Sequence, residues 1–479
     1  MEKDTLMDVG REFADAKLGN AARTRRLSQI ANRIAAQPEA NLPQQMLDPA
    51  GLEGAYRFFE NDSVGPQAVL DAHIGQTVGR MVKHPKVLVL HDTTSFKFAG
   101  KKPREGLGFL NGEKQQGFYA HSSIAVAEDG EPLGTVHTYA WSRPELPEAV
   151  PEGKSRRRTS QYDPDRESLR WGEAALACAE QTGGKTELIH IMDREGDCLE
   201  LFTLLLEHDQ GFLIRLAHNR RLSGGRSAET IRLFERLSAA PVIFEREVVL
   251  SQRGPRRSEK EEKKFPARER RNAILAVRAQ TLEIFAANGA SANVPESITL
   301  NFVDVEEIDP PNGCEPVRWR LVTTEPIETP EQIAAVVDIY RMRWLIEEFF
   351  KAIKTGCRYQ DRQLKTANAL LIDLAIESAI ASRLLRMRWL SRANPDAPAS
   401  RVLTPSELGA LTELCAADGQ PLPATPTVKD ALYAVARIGG HIGYRGPPGW
   451  LVLRRGFAGL SVAERLWIRM NRIRNPIDD

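Results

Sequence analysis

Three acidic residues stand in contexts suited to holding hard divalent cations: Asp92 in His91-Asp92-Thr93-Thr94, Asp193 in the run MDREGD, and Glu347 within YRMRWLIEEFFKAIK, from Tyr340 to Lys354. Carboxylate oxygens are the donors that Mg²⁺ and Mn²⁺ prefer. A pair of such ions can activate an attacking hydroxyl and stabilise a leaving oxygen in phosphodiester chemistry. The carboxylates must come from separate elements so that they meet at one point. An Asp-Asp-Glu triple by itself is weak evidence, because the chain offers 64 acidic residues. The stretch from Tyr340 to Lys354 holds no Gly or Pro, and it is expected to form one continuous helix. At roughly 100° per residue, Tyr340, Arg343, Glu347 and Lys354 would share one edge within roughly 60° of arc. Trp344, Leu345, Phe349, Phe350 and Ile353 would supply apolar surface around its other sides. Opposite charges at such spacings also describe an ordinary ion-paired surface face, so this stretch alone leaves both readings open.

The elements that would position these residues can be read along the chain. Val87 to Leu90 is a short apolar run bounded by Pro85 and by polar residues, which places Asp92 at a strand end. Two alternating segments joined by Glu128-Asp129-Gly130-Glu131 read as an antiparallel hairpin. A helix over roughly 165–182 closes at Gly183-Gly184. Leu188 to Met192 is a second short strand, ending in Asp193, and a helix (199–208) and the strand GFLIRLAHN follow. In an open α/β sheet, sites form where strands end. From about 241 to 326 the texture is mostly β, in VIFEREVVL, AILAVRAQTLEIF, SITLNFVDVEEI and VRWRLVTTE. The charged segment 251–271 between the first two is either a solvated hairpin tip or a tip laid on a phosphate backbone.

Residues 5–35 read as helical, with Arg23, Arg25 and Arg26 near a helix start, where they face either phosphates or solvent. A helix over 49–61 carries Tyr56, Phe58 and Phe59, expected to pack internally. Residues 366–392 form another, with a basic edge of Arg383, Arg386, Arg388 and Arg392, and the remainder reads as a separate all-α piece.

A chain of 479 residues is too long for one core, so two to four domains are expected. A net charge of +1 gives no global electrostatic case for nucleic acid, leaving only local clusters. The five cysteines form no CxxC pair, which argues against a zinc site or a disulfide framework and suits a reducing compartment. The first residues lack the apolar core of a secretory signal. The most membrane-like run, 367–385, is broken by Asp373, Glu377 and Arg383.

HDTTSF, MDREGD and Tyr340-x2-Arg343-x3-Glu347-x6-Lys354 together resemble the DDE transposases of the insertion-sequence-four family. The similarity extends to LGNAARTRRL, GAYRF, WRLVTTEPIE and LYAVARIGG. The resemblance implies an α/β fold: a ribonuclease H-like mixed-sheet catalytic core, interrupted by a β-rich insertion, with helical N-terminal and C-terminal domains. The implied divisions are 1–70 for DNA-end binding, 71–370 for catalysis (insertion about 241–326) and 371–479 for dimerisation. Asp92, Asp193 and Glu347 would be the catalytic metal ligands for two Mg²⁺ per site, with Mn²⁺ as substitute. Tyr340, Arg343, Lys354, Lys351 and Arg215 would hold the DNA end, and Arg23 and Arg26 would help read the terminal repeat. Trp319 would stack a base flipped from the duplex; from the residue alone it reads as a buried strand position.

The implied partners are double-stranded DNA (terminal inverted repeats and target) and a second copy of the chain, with no membrane, in a bacterial cytoplasm and on the nucleoid when bound to DNA. The implied reaction is a nick that frees a 3′-hydroxyl, a hairpin, its reopening, and strand transfer into target. After Lys354, RYQDRQLK departs from the family pattern, which leaves open whether Arg358 or Arg362 touches DNA. Glu348, Glu195 and Asp197 are expected to be structural ion pairs. Two rivals stay open: a DNA-binding or dimerising regulator without activity, and a ribonuclease H-like nuclease without strand transfer.

Overall fold

The computed structural model describes residues 6, 8–100, 102–110, 115–142, 167–223, 231–250, 254, 267–286, 293–443 and 448–474. Most of the charged segment 251–271 and residues 143–160, whose Pro, Gly, Ser and Arg content reads as a loop, lie outside the described residues. The chain is a mixed α/β protein that groups into two compact units. One takes residues 1–158, 177–186 and 344–479; the other takes 159–176 and 187–343.

The strands of the first unit are β1 (Lys86–Lys97), β2 (Gly117–Ala127) and β3 (Pro132–Trp141), antiparallel in the order β3-β2-β1. The apolar run Val87 to Leu90 is fully buried, as its composition predicts. The strand does not stop there. Pairing continues from Val87 opposite Ala127 to Lys97 opposite Gly117, so Asp92 is mid-strand, opposite Ser122, and not at a strand end. Thr93, Thr94, Ser95 and Phe96 keep the backbone extended, since β-branched and aromatic side chains suit a pleated, half-buried surface. The hairpin expected between β2 and β3 forms, and Gly130 takes a φ of 90° in its turn, a conformation that costs glycine little.

Helices surround these strands. The Ala367–Ala393 helix is buried around most of its girth and packs on β3 and on the Pro66–Met81 helix. Its basic edge is largely internal. Arg383 and Arg386 are buried and paired with Glu407 and Glu131. The C-terminal helices Pro405–Ala417, Val428–Ile438 and Trp450–Arg474 share a core with Met387, Leu390 and the N-terminal Leu6. In the N-terminal region, the helical reading of 5–35 resolves into helices Val9–Glu12 and Ala21–Ala36, and the second starts beside Arg23, Arg25 and Arg26 as expected, with Asn20 as its cap. Phe58 and Phe59 are buried as expected, whereas Tyr56 is exposed.

The second unit has β4 (Glu187–Met192), β5 (Gly211–Arg215), β6 (Phe244–Leu250), β7 (Arg271–Phe285), β8 (Ser297–Ile308) and β9 (Arg318–Thr323), ordered β4-β5-β9-β8-β7-β6. Only β4 and β5 are parallel; the rest pair antiparallel, in the region where the sequence reads as mostly β. The Pro330–Met342 helix begins with a capping box: Thr329 accepts from the Gln332 N–H and Gln332 reaches back. Among the described residues, no helix is long and apolar enough to cross a membrane.

Candidate active-site residues

In the first unit, strand alternation sets Asp92, Thr94 and Phe96 on one face of β1 and His91 and Thr93 on the other. On that second face, His91 Nδ1 lies 2.8 Å from Ser123 Oγ, and Thr93 Oγ1 lies 2.9 Å from His121 Nδ1. Asp92 Oδ1 accepts from the Thr93 N–H at 2.8 Å. The Trp344–Lys351 helix packs against β1, with Ile346, Phe349 and Phe350 buried and Glu347 in its first turn. After it, Ala352–Gly356 is a π turn closed by the Cys357 N–H donating to Ala352 O at 2.8 Å. Lys354, in that turn, donates from Nζ to Thr94 Oγ1 at 2.6 Å and lies 5.4 Å from the centre of the Phe96 ring. Burial pushes the Lys354 ammonium down to about 8, with the Asp92 charge opposing that fall and Lys97 adding to it.

The continuous helix expected from Tyr340 to Lys354 is therefore interrupted twice. The Arg343 N–H bonds to Tyr340 O, three residues back, at 3.1 Å, which tightens the chain between Met342 and Trp344. The π turn then widens it. The 100° step assumed for one continuous helix therefore does not hold as far as Lys354. Trp344, expected to help bury the helix, is 58% exposed. Glu348 pairs with Arg388 and, at 3.9 Å, with the exposed Lys351, which fits its expected structural role.

The second unit gathers a different set. Asp193 follows the last residue of β4, as expected, and caps the short turn Arg194–Gly196 by accepting the Glu195 N–H at 2.8 Å. Arg215 ends β5, donates to Arg318 O at 2.9 Å and is hydrogen-bonded to the Tyr340 hydroxyl. Burial raises the Tyr340 phenol; Arg215 and Arg343 act against the rise and Asp193 adds to it. Burial likewise lowers Arg215, and the Arg194 and Arg343 charges lower it further. Trp319, on β9 opposite Val305, is half-buried, and its ring centre lies 5.8 Å from that of Tyr340. Arg215, Tyr340, Arg343 and Trp319 thus form one group with Asp193. Asp197 is buried, paired with Arg220 at 2.5 Å, and accepts from the Ala217 and His218 N–H groups.

The other candidates make contacts of their own. Arg23 donates to Leu18 O at 3.0 Å, and Arg26 lies against Gly54. Arg362 is buried between Asp373 at 2.9 Å and Glu377 at 2.5 Å, so it holds the interior together and is not a surface contact. Arg358, at a φ of 52°, pairs with the exposed Asp361 at 2.7 Å. Among the described residues, no three His, Cys, Asp or Glu side chains are gathered into a group that could hold a metal ion. Sequence reasoning missed Thr94, Phe96 and Arg194. Period-two alternation from Asp92 would have found the first two, and Arg194 directly follows Asp193.

Comparison with known families decides the class. Residues 9–64 match the family described as transposase DNA-binding, and residues 182–382 match the transposase DDE domain. The chain thus carries a region of the transposase DNA-binding family and a region of the transposase DDE family, which supports a DDE transposase. The DDE match takes in Asp193, Arg215, Trp319, Tyr340, Arg343, Glu347, Lys351 and Lys354; Asp92 lies upstream of it, and Arg23 and Arg26 lie within the DNA-binding match. The DNA-binding match supports DNA as a partner. Among solved structures, the chain is similar to a piggyBac transposase synaptic complex with hairpin DNA at 10% identity. That alignment covers 82% of this chain and 74% of the other, with a TM-score of 0.36, a likeness too low to argue from.

Proposed function

We propose that this chain is a transposase that works by cut-and-paste on a ribonuclease H-like core of the insertion-sequence-four type, with Asp92, Asp193 and Glu347 as the ligands of two Mg²⁺ ions, replaceable by Mn²⁺. The support for metal is the donor chemistry of three carboxylates and the field at Asp92, where the protein's own ammonium, Lys354, is drawn in from far along the chain. Bound there, the ions would supply an activated water and a stabilised leaving oxygen.

The protein's own groups do the rest. Arg215, Tyr340 and Arg343 grip phosphate oxygens of the DNA end, since guanidinium and phenol are directional donors. Lys351 and Lys354 add point charge beside the acids. Trp319 offers a π-face for one base taken out of the stack, which allows the freed 3′-hydroxyl to attack the opposite strand and form a hairpin. A water then reopens the hairpin, and the 3′-hydroxyl joins target DNA. Residues 1–70, with Arg23 and Arg26, read the terminal repeat, residues 71–370 carry the chemistry, and residues 371–479 join two copies into the synaptic homodimer.

One observation carries the reading: Lys354 meets Thr94, 260 residues earlier in the chain and two from Asp92, so an acid and a phosphate-gripping cation share one strand face. The experiment incubates the full chain and Mg²⁺ with DNA bearing its own terminal repeats. Nicks followed by hairpin ends and joined target DNA are expected. Binding without cleavage under Mg²⁺ and Mn²⁺ would overturn the proposal in favour of a regulator, and cleavage without hairpins or joining would leave only a nuclease.

A further inference from the structure

The proposed function does not use one contact made by the turn that carries Lys354. A π turn is uncommon and has to be supported by its surroundings. Here the support comes from far along the chain. Arg454, on the Trp450–Arg474 helix, donates from Nη1 to the carbonyl of Thr355 at 2.9 Å. The same guanidinium is ion-paired through Nε with Glu39, and both side chains are mostly buried. Glu39 lies inside the region matched as transposase DNA-binding. One planar fork thus joins the amino-terminal region, the last described helix and the backbone beside Lys354. A guanidinium can hold a carbonyl and a carboxylate at once, whereas an ammonium holds each as a point charge without fixed angles. On the other side of the turn, Lys354 is held by Thr94 Oγ1 and Phe96.

We infer that Arg454 is a positioning residue for Lys354: by tying the Thr355 carbonyl to Glu39, it holds the π turn in the form that sets the lysine on Thr94, beside Asp92. Thr94 is the second positioning residue, acting on the side chain directly. The inference rests on the proposed role of Lys354 in gripping DNA, but its geometry can be measured without any cleavage.

The test has two arms. In the first, the DNA-free full chain is acylated with a lysine-reactive reagent at one pH, and labelling of Lys354 is followed by mass spectrometry. Arg454→Ala and Thr94→Val should each raise the labelling rate several-fold. Arg454→Lys should fall between Ala and wild type, and other lysines should be unchanged. Wild-type labelling in both variants, with melting temperature retained, would overturn the inference. In the second arm, cleavage of DNA ends is measured in a double-mutant cycle. Arg454→Ala should slow cleavage about tenfold, as expected for a misplaced functional group. In a Lys354→Ala background it should cost less than about twofold, because residues acting through one group are not additive. Full additivity would show that Arg454 acts elsewhere and would overturn the inference. A chain that cleaves nothing defeats the transposition proposal and leaves the labelling arm to decide this one. Glu39→Gln, which leaves the Arg454–Thr355 bond in place, should shift labelling less than Arg454→Ala; the reverse order would also overturn it.

Discussion

The two groups of candidate residues are built in opposite ways. In the first unit, Asp92 sits in the middle of a twelve-residue strand paired with β2 from Val87 to Lys97, and a helix packs against it. An irregular turn brings a lysine, Lys354, onto the same strand. In the second unit, Asp193 stands where a strand stops and a short turn begins, and the cations outnumber it: Arg194, Arg215 and Arg343, together with Tyr340. A mid-strand acid is held by the sheet's hydrogen bonds and can bear a fixed geometry. A strand end surrounded by guanidiniums is suited to receiving phosphate. On the proposed function, the contrast would give the first group more of the chemistry and the second more of the grip on DNA.

The largest effect should separate these roles. Glu347→Gln should slow cleavage by on the order of 10³-fold, the scale of a lost metal ligand. Its binding to terminal-repeat DNA in a gel shift should hold within about threefold, since phosphate contacts set that affinity. Arg215→Ala should show the complementary pattern, with binding weaker by about tenfold and a salt slope reduced by about one. Equal loss of binding and cleavage in both variants would dissolve the division.

Trp319 tests the second group internally. Replacing it with Ala should slow hairpin formation by about 10- to 100-fold, from a stacking contribution of about 1–3 kcal/mol, while the first nick stays near wild type. Equal slowing of both steps would make Trp319 only a packing partner of Tyr340.

The smallest effect on chemistry concerns the scaffold of the first unit. Burial would raise the Glu12 carboxyl, but the His73 hydrogen bond and the Arg80 charge hold it down to about 2. Thr135 donates its N–H to His73 Nε2 at 3.2 Å, so the ring hydrogen is on Nδ1, facing Glu12 at 2.7 Å. A carboxyl lowered in the folded state stabilises above its ordinary value and loses that contribution as pH falls from about 4.5 towards about 2. The stake is about 3 kcal/mol. Glu12→Gln should flatten that acid dependence in thermal melts, and an unchanged acid profile would contradict it.

Much of the site was legible in the chain before any fold was known. Asp193 at a strand end followed from a short apolar run and a polar stop, and the β-rich region followed from alternation. The strand carrying Asp92 was drawn too short, because polar threonines look like a stop until β2 is there to pair with them. The helix from Tyr340 to Lys354 has no Gly or Pro, so nothing local announces its two interruptions. Arg362 and Arg386 look like surface cations in sequence; their acidic partners are distant in the chain, and only folding buries them.

Residue types determined, unaided, only what chemistry each side chain could offer, because carboxylate, guanidinium and aromatic chemistry belongs to each residue wherever it lies. The tertiary structure alone decided that Lys354 leaves its helix to meet Thr94, and that Tyr340 is buried against Arg215 and Trp319. Those pairings depend on hydrogen bonds and packing between segments far apart in the chain, which no local pattern encodes.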